Sequence, residues 1–240
     1  MMIRTAEASP RLTARVAGIF YLLNVITAFL SLFSFRGLVV SGDPAATATN
    51  IVAHGSRFRL GFASEIIATA CSIAVTALFY ELFKPVNRSL SLLAAFFRLI
   101  ACALAAFSYL FHLAPLQILG GAHHLGTLKS EELQALSLLL LSLQPRSINI
   151  FIIFFGYHFV LIGYLIFRST FLPRALGVLA AFAGLGALTF LAPPLGTYLL
   201  FPYLAAIFLL CEVSLTLWLV IVGVDVQRWQ EQARAAAFRA

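Results

Sequence analysis

The strongest constraint on this chain is a series of long apolar runs bounded by basic residues. The first run, residues 16–35, carries no charged side chain and lies between Arg15 and Arg36. About 20 helical residues cross the roughly 30 Å hydrocarbon core of a bilayer, because each residue advances the helix by about 1.5 Å. Similar runs follow along the chain, which predicts a polytopic membrane protein rather than a soluble domain.

The composition indicates that lipid is the solvent for much of the surface. Hydrophobic residues make up 62% of the chain and charged residues only 10%, whereas about a quarter of the residues in an ordinary soluble domain are charged. The formal charge of +7 does not indicate nucleic acid, because the basic residues lie at the ends of apolar runs. The cysteines Cys71, Cys102 and Cys211 all fall inside apolar runs without CxxC spacing. They are interpreted as packing residues.

We predict an all-α fold, a polytopic membrane helix bundle that forms a single domain over residues 1–240. The six predicted spans are residues 16–35, 60–83, 89–113, 148–167, 176–191 and 198–224. Lysine and arginine close to the span ends lie mostly in the N-terminal segment, the second and fourth connections and the C-terminal tail. The positive-inside rule therefore predicts that both termini lie in the cytoplasm, and the even number of spans agrees.

Two short helices are predicted in the outer loops, at the membrane surface, over residues 44–54 and 130–143. Asp43 followed by Pro44 is typical of a helix N-cap and first helical residue, and Gly55 is typical of a helix end. Residues 130–143 are too few to span a bilayer. Pro145 is expected to separate this helix from the next span.

An internal similarity leaves two interpretations open. Residues 89–99 align without gaps to residues 175–185, and both segments follow an arginine and begin a predicted helix. Apolar membrane helices resemble each other by chance, and a duplicated helical hairpin gives the same pattern.

Charged side chains inside the predicted spans single out a candidate site. Each costs roughly 2.5–3.5 kcal/mol on insertion scales, so each needs a partner or a purpose. Those more than two residues from a span end are Glu65, Arg98, His158 and Glu212. Counting from the span ends places Arg98, His158 and Glu212 near the midplane and Glu65 nearer the outer face. We predict that Arg98 pairs with Glu212 and that His158 or Glu65 is the third member.

Mostly polar residues also recur every three or four positions along three predicted spans, a spacing that places them on one helix face. Span one has Tyr21, Asn24, Thr27, Ser31 and Ser34; span two has Glu65, Thr69, Ser72, Thr76 and Tyr80; span three has Arg98, Cys102, Ala105, Tyr109 and His112. Stripes of this kind around a charged midplane indicate a hydrated cavity. The alternative is that Ser and Thr bond back to their own helices and the stripes only mediate packing. The candidate ligand-binding residues are Arg98, Glu212, His158, Glu65, Asn24, Tyr80 and His112.

Three functions fit these residues. The leading hypothesis is binding or transport of a small solute or lipid-like molecule, with Arg98 recognising an anion, Glu212 as its counter-charge and His158 as a proton-sensitive neighbour. The second is a structural or regulatory membrane protein whose charges lock helix packing. The third is a membrane enzyme that uses Glu, His or a metal.

The enzyme hypothesis has the least support in the sequence. The chain contains no HExxH, no GxSxG and no glycine-rich phosphate loop. No catalytic residue, metal site or cofactor is therefore predicted. The expected partners are the lipid bilayer and a small solute or lipid ligand, without nucleic acid.

Seven short segments, taken in order, resemble a known family. They are residues 42–50 (GDPAATATN), 57–59 (RFR), 84–88 (KPVNR), 97–99 (FRL), 155–158 (FGYH), 163–165 (GYL) and 172–177 (LPRALG). Together they resemble the bacterial membrane family catalogued as domain of unknown function 4386, from residue 11 to residue 224. The resemblance implies a small multi-pass protein of the bacterial cytoplasmic membrane and supplies no activity.

Overall fold

Helices account for most of the protein in the computed structural model, which describes residues 9–40, 42–119 and 129–238. In this part of the chain, six helical segments are long and apolar enough to cross a membrane. They are Pro10–Phe35, Gly55–Phe83, Arg88–Leu119, Ser130–Arg168, Arg174–Leu191 and Pro193–Ile221. The predicted all-α, multi-pass membrane architecture is confirmed, and the orientation of the termini stays a prediction.

The helices are numbered in chain order. They are α1 (Pro10–Phe35), α2 (Pro44–Ala53), α3 (Gly55–Phe83), α4 (Arg88–Leu119), α5 (Ser130–Arg168), α6 (Arg174–Leu188), α7 (Pro193–Leu199), α8 (Ala205–Ile221) and α9 (Val226–Ala237). A 3-10 turn, Thr189–Leu191, continues α6, and the segment Leu200–Leu204 joins α7 to α8. Both segments of the internal similarity begin a helix, since α4 starts at Arg88 and α6 at Arg174; the duplication itself stays a hypothesis.

The predicted start of α2 is confirmed, and its predicted end at residue 54 agrees to within one residue with the observed helix, Pro44–Ala53. The Asp43 side chain accepts a hydrogen bond of 2.9 Å from the backbone nitrogen of Ala46, and Pro44 is the first helical residue. Gly55, however, begins α3 instead of ending α2, because His54 alone leaves the helical conformation, at φ −113° and ψ 32°. The third helix therefore starts earlier than residue 60.

The separate outer helix over residues 130–143 is replaced by one continuous helix. Helix α5 has 39 residues and contains Pro145, so the predicted surface helix and the next span are one element. Proline removes one backbone donor. Membrane helices tolerate this loss because neighbouring groups satisfy the freed carbonyl. Pro115 lies inside α4 in the same way.

The described chain divides into two compact units. Unit 1 contains described residues of Met1–Leu22, Cys71–Ala101 and Ile152–Ala240, and unit 2 contains Leu23–Ala70 and Cys102–Phe151. The prediction that residues 1–240 form one domain stays a prediction.

In unit 1, glycines bring the backbones of α5 and α6 into contact. A Cβ built on Gly163 would lie 2.5 Å from the backbone nitrogen of Ala181, and one built on Gly177 would lie 2.6 Å from that of Phe167. A Cβ on Gly184 would lie 2.6 Å from the backbone nitrogen of Val160. Real side chains do not occupy such positions, so this contact requires glycine. Gly163, Gly177 and Gly184 are therefore packing residues between α5 and α6.

The core of unit 2 forms around α2. It contains the buried residues Leu38, Ile51, Phe58 and Leu141, with Phe35, Leu116 and Leu119 packed against them. The Thr47 hydroxyl joins α2 to the preceding loop, since it accepts a hydrogen bond of 3.0 Å from the backbone nitrogen of Val40. Helix α2 therefore buries one face against its own unit.

Polar contacts hold helix α9 against the rest of unit 1. The indole nitrogen of Trp229 donates a hydrogen bond of 2.9 Å to the carbonyl oxygen of Leu82, in the last turn of α3, where carbonyls lack intrahelical partners. The Gln232 side-chain oxygen accepts hydrogen bonds of 3.1 Å from both the backbone nitrogen and the hydroxyl of Thr170.

Trp229→Phe is expected to weaken the docking of α9. The substitution keeps an aromatic ring but removes the donor to Leu82, and one such hydrogen bond contributes about 1 kcal/mol. Trypsin should then cut at Arg228 roughly five times faster, because the undocked population rises by that factor. Trp218→Phe is the matched control, since Trp218 lies in α8 and not in α9. Equal cleavage rates in wild type and both variants would rule out a role for this contact in holding α9.

Candidate functional site

Arg98 is a buried cation on α4 in unit 1, with only 6% of its surface exposed. Its Nη2 donates a hydrogen bond of 2.7 Å to the hydroxyl of Ser72 on α3. Its guanidinium carbon lies 4.3 Å from the ring centroid of Phe155 on α5, within the range of a cation–π contact. Its Nη1 is buried without a hydrogen-bond partner among the described residues. The guanidinium is therefore held by two helices and keeps one donor nitrogen unpaired.

Glu212 lies in the same unit but is not joined to Arg98. In the described part of the chain no direct ion pair connects the two residues, and Glu212 Oε1 instead accepts a long hydrogen bond of 3.5 Å from the Tyr21 hydroxyl. The two charges still interact electrostatically. The predicted direct pair is thus replaced by separate partners, Ser72 for the cation and Tyr21 for the carboxyl group.

His158 completes the polar group in unit 1. Its Nδ1 lies 2.9 Å from the carbonyl oxygen of Ala94 on α4, a contact in which the ring nitrogen donates. Its ring stacks near that of Phe155, with centroids 6.4 Å apart, and it interacts electrostatically with Arg98. Arg98, His158 and Glu212, which were predicted from the sequence, therefore lie in one cluster in the structure. We name Arg98, Ser72, Phe155, His158, Tyr21 and Glu212 the Arg98 cluster.

Tyr80, the fourth candidate in unit 1, is half-buried. Its backbone carbonyl oxygen accepts hydrogen bonds from the Ser91 hydroxyl at 3.2 Å and from the Lys84 backbone nitrogen at 2.9 Å. Its side chain has no described contact with Arg98, Glu212 or His158. Its predicted role in ligand binding stays a prediction.

The remaining candidates lie in unit 2, where Glu65 on α3 meets His112 on α4. His112 Nδ1 lies 2.9 Å from Glu65 Oε1, and the side chains are only 13% and 9% exposed. The Phe35 ring lies against the imidazole at a centroid distance of 4.1 Å. Glu65 Oε2 is buried without a hydrogen-bond partner among the described residues. Glu65 and His112 therefore form a second buried polar contact, which joins α3 to α4 in unit 2.

Two further contacts in unit 2 come from the predicted polar stripes. The Asn24 side-chain nitrogen donates to the Ala68 carbonyl oxygen at 2.7 Å. The hydroxyls of Thr69 and Tyr109 lie 3.2 Å apart. Of the seven candidates, Arg98, Glu212, His158 and Tyr80 lie in unit 1, and Glu65, His112 and Asn24 lie in unit 2.

Three members of the Arg98 cluster were absent from the predicted site. Ser72 and Tyr21 were already present in the polar stripes, and their spacing along α3 and α1 was the available signal. Phe155 precedes His158 by three positions, so it shares the same helix face. Among the described residues, no group of three His, Cys, Asp or Glu side chains is close enough to hold a metal ion.

Comparison with known proteins finds one family. The model of the family described as domain of unknown function 4386 matches residues 16–223, which confirms the resemblance of the ordered motifs. No curated protein and no solved structure matches the chain.

Proposed function

We propose that this chain, which belongs to the family described as domain of unknown function 4386, binds a small anionic solute or lipid-like molecule at the Arg98 cluster. The description of the family assigns no activity, so the proposal is argued from the geometry of unit 1. The setting of the proposal is the bacterial cytoplasmic membrane, with both termini in the cytoplasm.

The observation that carries the proposal is the buried Arg98 guanidinium with an unpaired Nη1. A charge inside a spanning helix is costly, and buried charges are normally paired and fully hydrogen-bonded. Ser72 satisfies Nη2 only, and the carboxyl group of Glu212 is held by Tyr21. A carboxylate or phosphate oxygen on a ligand would accept from Nη1 and balance the cation, which is the pairing that guanidinium geometry favours.

The other members of the cluster suit a ligand that is carried with a proton. Glu212 and His158 are titratable groups within electrostatic reach of Arg98. Titratable groups of this kind within spanning helices are typical of proton relays in transporters. Phe155 adds an apolar surface beside the cation, which suits a molecule with a hydrocarbon part.

The structural role is the main alternative, and a specific observation favours it. Three polar contacts of the cluster each join two helices: Arg98 with Ser72 joins α4 to α3, His158 with Ala94 joins α5 to α4, and Tyr21 with Glu212 joins α1 to α8. Contacts of this kind hold helices together without any ligand. The two roles predict different effects of removing Arg98 on ligand binding and on stability.

Native mass spectrometry of the purified protein distinguishes the ligand-binding role from the structural role. The wild type is compared with Arg98→Met and with Arg146→Met, which removes an exposed arginine of α5 in unit 2. Succinate and laurate are added as a soluble and a lipid-like carboxylate. We expect the wild type and Arg146→Met to retain a bound species, either co-purified or added, and Arg98→Met to lose it while remaining folded.

The contrary result has two parts. The first is that no species binds to the wild type. The second is that Arg98→Met has a much lower melting temperature than the wild type and that adding Glu212→Leu restores it. Together these results would mean that the cluster serves only to hold the helices together. Replacement of a buried charged group together with its counter-charge is often close to neutral, whereas removal of one partner is not.

A further inference from the structure

Unit 1 contains a second polar feature, distinct from the Arg98 cluster. An open cavity of about 890 Å³ lies where α3, α4 and α5 end or begin, and α9 forms one of its walls. Four cations line it, Lys84, Arg88, Arg168 and Arg228, and Glu231 is the lining carboxylate. We name this feature the basic cavity. None of the members of the Arg98 cluster lines it.

The charge of the basic cavity is only partly compensated. Lys84 forms an ion pair with Glu81, and Arg228 lies 3.4 Å from the carboxylate of Asp225. Arg88 and Arg168 form no ion pair with any carboxylate of the described residues. Arg88 and Arg168 therefore line the cavity with positive charges that no carboxylate of the described residues neutralises.

The positive-inside rule explains only part of this arrangement. It accounts for basic residues in cytoplasmic connections, where they need not converge. Here residues from the α3–α4 turn, the end of α5 and the C-terminal helix α9 line one cavity. Convergence from three separate parts of the chain is a property of a binding site rather than of a topology signal.

The walls of the basic cavity are held in place without a ligand. Trp229 and Gln232 fasten α9 to Leu82 and Thr170 through the hydrogen bonds described above. Asn87 caps α4 by accepting a hydrogen bond of 2.9 Å from the backbone nitrogen of Leu90. The positive end of the α4 dipole therefore lies at the lining residue Arg88, which adds to the attraction for an anion.

We infer that the basic cavity binds a phosphate group. Arginine forms paired hydrogen bonds with phosphate oxygens, and a phosphate can balance two cations at once. A volume of about 890 Å³ lies within the range of about 300–1,000 Å³ that is typical of small-molecule sites. The cavity lies at the ends of spanning helices, where basic pockets recognise anionic lipid headgroups. The phosphate belongs either to such a headgroup or to a soluble compound, and both present the same group to Arg88 and Arg168.

The test uses the full-length protein in detergent and the double substitution Arg88→Gln with Arg168→Gln. The matched control is Arg174→Gln with Arg234→Gln, which removes the same charge from residues of unit 1 that do not line the cavity. Native mass spectrometry with dioleoylphosphatidylglycerol and dioleoylphosphatidylcholine measures lipid binding, and isothermal titration calorimetry measures binding of inorganic phosphate.

We expect the cavity variant to bind at least one phosphate probe about tenfold more weakly than the wild type and the control do, because each basic residue near a lipid surface contributes substantially to attraction. Loss of phosphatidylglycerol binding alone identifies a headgroup site. Loss of inorganic phosphate binding alone identifies a soluble phosphate compound. Equal binding of both probes by all three proteins, or no binding by the wild type, overturns the inference. Arg98 is unchanged in these variants, so the result is independent of the function proposed above.

Discussion

Gly163→Ala is expected to destabilise the protein by about 3 kcal/mol, a large effect for the addition of one methyl group. The added Cβ would lie 2.5 Å from the backbone nitrogen of Ala181 and 2.7 Å from the carbonyl oxygen of Gly177. Both are backbone atoms, so no side-chain rotation relieves the overlap, and α5 and α6 must separate. The separation also removes the dispersion contacts along the remaining glycines of this interface.

Gly55→Ala is the matched control, because among the described residues the same methyl group there would meet the side chain of Leu116 alone, at an ordinary contact distance of 3.7 Å. It is expected to be neutral or slightly stabilising, since alanine is the better helix former. The midpoint of thermal unfolding in detergent is measured for both variants. Tryptophan fluorescence and the loss of the monodisperse elution peak both monitor the transition. Similar midpoints for the two variants would show that α5 and α6 are not in backbone contact.

His112→Phe is expected to destabilise the protein by about 3–5 kcal/mol. The substitution keeps an aromatic ring beside Phe35 but removes the partner of Glu65 Oε1. Because Glu65 Oε2 already has no partner among the described residues, the whole carboxyl group would then be buried without a hydrogen bond. The large cost arises from this remaining group rather than from the lost contact itself.

A second substitution separates these two contributions. When Glu65→Leu is added to His112→Phe, the unpaired carboxyl group disappears and stability is expected to return close to that of the wild type. His54→Phe is the control, since His54 is exposed and its ring nitrogen lies 3.0 Å from the carbonyl oxygen of Asn50 in its own helical turn. The free energy of unfolding in mixed detergent is measured for the wild type, the two single variants and the double variant. A double variant as unstable as His112→Phe would mean that the imidazole itself holds α4 in place.

The polar stripes show how far helical periodicity alone predicts the candidate site. The spacing predicts that Glu65 and Ser72 share one face of α3 and that Arg98 and His112 share one face of α4. In the structure, Glu65 contacts His112 and Ser72 contacts Arg98. Periodicity is a local property of about 3.6 residues per turn, so it identifies the polar face correctly. It carries no information on which residue of the facing helix lies at the same height.

That limit explains why the Arg98–Glu212 ion pair was predicted and a different arrangement is found. Counting residues gives the depth of Arg98 and Glu212, and their similar depth suggested direct contact. The rotation and lateral position of α4 and α8 decide the actual neighbours, which are Ser72 for Arg98 and Tyr21 for Glu212. The same applies to the basic cavity, where residues predicted as topology signals converge only because α9 packs beside two turns.

The sequence by itself determined the class of the protein, its spanning segments and its family. Each of these depends on the length and apolarity of a continuous segment, or on motifs in order, and none requires knowledge of long-range contacts. It also determined the N-cap at Asp43, because capping is a contact between near neighbours along the chain. The tertiary structure alone decided that α5 continues through Pro145 and that two polar clusters form in separate units. It also decided which glycines bring α5 and α6 together. These features arise from packing between segments distant in sequence, where small differences in helix rotation and register select one set of neighbours among many that local patterns allow.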